Sequence, residues 1–151
     1  MLRTRLEEGL KEALRARQDC AVSTLRLIIA ALKDRDIAER GKGNPAGLSD
    51  EQTLGLLQSM VKQRQESIRL YEQGNRHDLA KQEADEISVI EQFLPRQMDE
   101  QCIEDAVKEA IAEMDAKTLR DMGRVMALLK QRYAGQMDPA KAGKFVKQHL
   151  A

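Results

Sequence analysis

DMGRVMALLKQRYAG (Asp121–Gly135), followed two residues later by DPAKAGKFVKQHL (Asp138–Leu150), is the stretch that decides how this chain folds. In the first segment a 3.6-residue period puts Met122, Val125, Met126, Leu129 and Tyr133, with Leu119 just upstream, on or near one apolar side that must be core. The opposite side carries Arg120, Gly123, Arg124, Ala127 and Gln131, so two guanidinium groups flank a strip with almost no side chain. Thr118 is placed to cap this helix, Asp121 falls in its first turn and Gly135 ends it. Asp138 before Pro139 pairs an N-cap acceptor with the residue whose missing N–H costs nothing at the first helical position, a specific start signal. Two short helices therefore set basic side chains beside small residues, and a phosphate backbone can approach such a surface closely.

Working upstream, Asp99 starts a third short helix with Ile103, Val107, Ala110 and Ile111 inside, which makes residues 96–151 a three-helix bundle. Pro95 disfavours helix at Leu94 and marks the boundary with residues 1–95. Four helices are expected in that first part. Leu2, Leu6, Leu10, Ala13 and Leu14 pattern a helix from Leu2 to about Gln18, and Asp19 is positioned to cap a second reaching Arg40 through Val22, Leu25, Ile28, Ile29, Leu32 and Ile37. GKGNPAG (Gly41–Gly47) breaks the pattern as a flexible hairpin loop. Ser49 with Gln52 forms a capping-box signature for a third helix carrying Leu54, Leu57, Val61, Ile68 and Tyr71, which Gly74 ends. Asn75 is expected to cap the fourth, with Leu79, Ala80, Ala84, Ile87 and Ile90 inside and Glu86 and Glu91 on its polar side.

Composition agrees with an all-α protein. Of 151 residues, 33% are charged and only 3% aromatic, and good helix formers dominate. Net charge is zero, so attraction to nucleic acid or anionic lipid must be local. It is local at the C-terminal end. Asp99 to Asp115 holds seven acids and one base, a balance of −6, whereas Lys117 to Ala151 holds eight bases and two acids, a balance of +6. A basic face formed by Arg120, Gly123, Arg124, Ala127, Lys141, Lys144 and Lys147 can neutralise phosphates while the acidic helix faces away. The competing reading has basic and acidic helices paired with each other and with water. Cys20 and Cys102 lie far apart without a CxxC pair, which reads as a reduced, intracellular protein with small core or half-buried thiols. The charged N-terminus MLRTRLEEGLKEAL has no signal-peptide apolar stretch and no run of eighteen apolar residues occurs, so a cytoplasmic location without membrane attachment is expected.

Groups able to do covalent chemistry do not converge. His77 reads as a polar first-turn residue and His149 as part of the apolar side of the last helix with Phe145 and Val146; neither belongs to a metal-ligand motif. No serine sits in a GxSxG elbow, and Gly41, Gly43 and Gly47 lack the spacing of a phosphate loop. The acid pairs Asp34 with Asp36 and Asp85 with Glu86 read as solvated helix face. No catalytic residue, metal site or cofactor is expected.

STLRLIIAALKDRDI (Ser23–Ile37), VKQRQESIRLYEQGNRHDLAKQEADEISVIEQFLPRQM (Val61–Met98) and DMGRVMALLK (Asp121–Lys130) resemble the GatB/YqeY family, and the resemblance covers essentially the whole chain. It implies an all-helical, two-part protein whose C-terminal part is similar to the tail domain of the B subunit of the glutamine-dependent aminoacyl-tRNA amidotransferase, which helps to hold tRNA while other domains do the chemistry. The family's D-M-G-x-V-M element falls on Asp121, Met122, Gly123, Val125 and Met126, its helix-ending glycine on Gly135, and its final element on Asp138, Lys141, Val146 and Lys147. Ala127 stands where the family usually has glycine, and the family's A-D-G reads Met137, Asp138, Pro139. The resemblance also carries the label of a carbon–nitrogen ligase using glutamine as amido-N donor. The expectation is a non-catalytic binder of tRNA or of a tRNA-handling, amidotransferase-type complex; the alternatives are a protein-interaction adaptor and an accessory ligase component.

Overall fold

The computed structural model describes residues 2–151, and every regular element among them is helical. In chain order these are α1 (Leu2–Arg15), α2 (Asp19–Gly41), α3 (Asp50–Gln73), α4 (His77–Glu91), α5 (Glu100–Glu113), a 3₁₀ turn (Leu119–Asp121), α6 (Met122–Arg132) and α7 (Pro139–Leu150). The fold is all-α. The chain divides into two compact units, one ending at Leu94 and the other running Pro95–Ala151.

In the first unit Leu6, Ile28, Leu57 and Ile90, one from each of α1 to α4, are fully buried at the centre of one apolar cluster. Helical spacing puts Leu2 and Ala13 beside Leu6, and Leu25 and Leu32 beside Ile28. Ala84 and Glu86 exchange roles relative to the sequence pattern. Ala84 is exposed, while the Glu86 carboxylate turns inward to accept from the Arg64 Nε–H at 2.9 Å, with Glu83 3.9 Å from the same nitrogen. Burial and the neighbouring Glu86 carboxylate push the Glu83 pKa up. Asp36 likewise departs from a solvated face. It is 8% exposed, accepts from the Arg3 Nη1 and Nη2 groups at 2.6 and 2.5 Å, and accepts the Leu48 N–H at 2.9 Å. Gly47 is required there, because its φ of +76° is left-handed and a Cβ would overlap the Asp36 carboxylate. The Gly41–Gly47 loop is thus tied down, with Asn44 Nδ2 donating to the Gly47 carbonyl at 3.0 Å, rather than a free hairpin loop.

Helix ends show where capping signals were misread. α1 stops at Arg15, not Gln18, because Arg17 turns left-handed (φ 54°) and the Gln18 N–H bonds the Ala13 carbonyl. Gln18 then occupies the N-cap position of α2, without a side-chain bond, and Asp19 is its first helical residue. Asn75 similarly takes φ 57° to finish α3, with the Arg76 N–H on the Tyr71 carbonyl, so Arg76 and not Asn75 precedes α4. Asparagine tolerates the left-handed region and serves the helix behind it. The Ser49–Gln52 capping box forms in full, as do the Asp99 and Asp138 caps.

In the second unit α5, α6 and α7 bury Ile103, Val107, Ala110, Val125, Leu129, Ala142, Val146 and Leu150 in one cluster. Gln97 Nε2 donates to the Gly135 carbonyl at 2.6 Å and the Met98 N–H to the Gln136 carbonyl at 2.9 Å, fastening the segment before α5 to the α6–α7 connection.

Candidate nucleic-acid interface

Thr118 and Asp121 build the entrance to α6. The Asp121 carboxylate accepts the Lys117 and Thr118 N–H groups at 3.0 and 3.4 Å and the Arg124 guanidinium at 2.8 Å, and these bonds hold its pKa below the ordinary carboxylate value. The first turn is 3₁₀, which rotates Leu119 off the apolar side; it is 53% exposed, not core. Val125 and Leu129 are buried, with Met122, Met126 and Tyr133 partly buried beside them.

All seven residues expected at the basic face, Arg120, Gly123, Arg124, Ala127, Lys141, Lys144 and Lys147, are exposed. A Cβ built on Gly123 meets nothing within 4 Å, so the small strip is open surface. The seven are not equivalent in charge. Arg124 is engaged by Asp121, and Lys141 Nζ lies 3.7 Å from Glu100 of the acidic α5. Arg132 is paired with Glu113 of α5. Arg120, Lys130, Lys144 and Lys147 have no ion pair among the described residues.

Helical geometry explains this division. On α7, Lys141 and His149 face α5, whereas a Cβ at Gly143 would touch Met122 of α6 at 3.7 Å; Lys147, one turn after Gly143, shares that α6-facing flank. On α6, Arg132 marks the α5 flank and Met122 the α7 flank. Lys130, one turn after Met126, lies where the α7 flank meets solvent. Lys130 is a residue the sequence reading missed: attention to Arg120 and Arg124 hid a cation whose signal was its position seven residues after Gly123, on the same side of the helix.

The remaining candidates for chemistry stay apart. Cys20 and Cys102 are both exposed rather than core, since each lies in the first turn of its helix on the outer side. The Asp99 carboxylate beside Cys102 raises its thiol pKa, which disfavours the nucleophilic thiolate. His77 opens α4 at the surface, and His149 is exposed 3.4 Å from Glu104 rather than within the apolar side. Among the described residues no His, Cys, Asp or Glu group has metal-binding geometry, and no helix is long and apolar enough to cross a membrane.

Residues 3–150 match the family described as Yqey-like protein. The chain belongs to that family. It is also similar to proteins named altered inheritance of mitochondria protein 41, mitochondrial. The one from Lachancea thermotolerans is 30% identical over 89 residues, 59% of this chain and 46% of that protein. The one from Vanderwaltozyma polyspora is 32% identical over 90 residues, with 59% and 46% covered. The chain spans about half the length of the curated relatives it matches.

Proposed function

We propose that this Yqey-like protein is a non-catalytic binder of tRNA, or of a tRNA-handling, amidotransferase-type complex, acting through the outer side of α6 and α7. The observation that carries this reading is the set of four exposed cations, Arg120, Lys130, Lys144 and Lys147, without intramolecular ion pairs among the described residues, around the open strip at Gly123 and Ala127. Local positive charge on a chain of zero net charge suits an anionic polymer better than non-specific attraction by the whole molecule. Residues 96–151 would then serve as the tail-like docking domain. Exposed Leu14, Leu27, Ile37 and Leu70 in the first unit speak for the adaptor alternative, but single exposed apolar residues are ordinary surface. A cytoplasmic location belongs to this reading, whereas the names of the relatives place those proteins in mitochondria.

A filter-binding assay with total tRNA over a salt series tests the proposal, with Gly123→Leu as the informative variant. Leucine adds bulk without touching charge and replaces a poor helix former, so binding should fall while stability holds or rises by up to about 1 kcal/mol. Unchanged binding in this variant, or no tRNA binding by the folded wild type at low salt, would favour the adaptor.

A further inference from the structure

Resting on the RNA-binding reading above, we infer that the ligand of the α6–α7 face is the sugar–phosphate surface of a double-helical RNA stem, not unpaired bases. Proteins that hold single strands or loops stack the bases on exposed aromatic rings or arginine planes. The second unit has two aromatic residues, Tyr133 and Phe145, and both are partly buried against its apolar cluster. Neither is available as a stacking platform, and the exposed His149 ring is turned toward Glu104 of α5 at 3.4 Å, away from this face. Of the exposed arginines near the face, Arg124 is held by Asp121 at 2.8 Å and Arg132 by Glu113, which leaves Arg120.

What the face does offer is point charge spread over two neighbouring helices. Arg120 on the 3₁₀ turn and Lys130 near the end of α6 lie at opposite ends of the α6 segment, and Lys144 and Lys147 stand on the neighbouring α7. The axes of packed helices lie about 8–10 Å apart, so the charges of the two helices are neighbours on one surface. The minor groove of an A-form helix is wide, shallow and bordered by phosphates and 2′-hydroxyls, a surface that flexible cations can grip without reading sequence. Gly123 and Ala127 lie between Arg120 and Lys130 and leave an open strip beside Arg124, which Asp121 holds, so the backbone can come close to that groove there.

The test is competition against labelled total tRNA bound to the full chain, using a blunt 16-base-pair RNA duplex, each of its single strands, and a DNA duplex of the same sequence. The RNA duplex should displace tRNA, with the single strands and the DNA duplex weaker by about tenfold or more. Lys130→Gln with Lys144→Gln should weaken tRNA and RNA duplex in parallel, both side chains being exposed and unneeded for folding. Single strands that compete as well as the duplex, while tRNA binding itself persists, would overturn the duplex assignment and leave the RNA-binding reading standing. Absence of tRNA binding would overturn both.

Discussion

The two units spend their charges differently. In the first, Asp36 and Glu86 are drawn into the structure, where Arg3 and Arg64 hold α1 to α2 and α3 to α4. In the second, the ion pairs lie at the surface, and four cations on the 3₁₀ turn, α6 and α7 have no carboxylate partner among the described residues. Surface pairs contribute about 0–1 kcal/mol, whereas breaking a buried pair leaves an uncompensated charge. The inward-turned ion pairs of the first unit therefore serve the fold, and the unpaired cations around α6 and α7 are available to a ligand.

The sharpest way to break that contrast is Asp36→Ala, which leaves the partly exposed Arg3 with only the Leu48 carbonyl as acceptor and the Leu48 N–H without one. A loss of roughly 2–4 kcal/mol of unfolding free energy is expected, measured by urea denaturation, with tRNA affinity unchanged where the variant is folded. A loss below about 0.5 kcal/mol would show that the pair behaves as a surface one.

The same variant sets a pH dependence. The Arg3 hydrogen bonds, aided by the Leu48 N–H, lower the Asp36 pKa from 3.8 to about 2. The folded state thus binds this proton less tightly than the unfolded state, so the stabilisation is complete above about pH 4 and is lost as pH falls toward 2. The stability gap between wild type and Asp36→Ala should narrow across that window and stay constant from pH 5 to 7.

A smaller effect, of opposite sign, is expected at Thr24. Its Oγ1 is buried without a hydrogen-bond partner among the described residues, so Thr24→Val removes an unsatisfied hydroxyl at nearly constant shape. Thermal denaturation should show a gain of about 1 kcal/mol, partly offset by the helix preference of valine. A loss would mean that the hydroxyl finds a partner in solution.

Helical periodicity was enough to read the all-α fold, and it located the caps at Ser49, Asp99 and Asp138 because those side chains act within three residues of themselves. Asp36 was unreadable for the opposite reason. Its partner is 33 residues away, and a carboxylate beside Asp34 looks solvated until Arg3 folds over it. Asn75 and Asp19 misled because a residue between two helices can serve either one, and backbone φ decides which. At the candidate interface, the exposure of all seven expected residues was legible from the apolar period. Which of them are neutralised was not, since Glu100 reaches Lys141 only through packing of α5 against α7.

The division of charge is tested most directly by the salt dependence of tRNA affinity for wild type and for two double variants, Lys144→Gln with Lys147→Gln and Arg124→Gln with Lys141→Gln, each checked for an unchanged melting transition. The first pair, without internal partners, should lower the slope of log affinity against log salt by about two units, and the second, already facing Asp121 and Glu100, by less than about one. Equal losses from both pairs, or none from either, would contradict the assignment of the unpaired cations to the ligand.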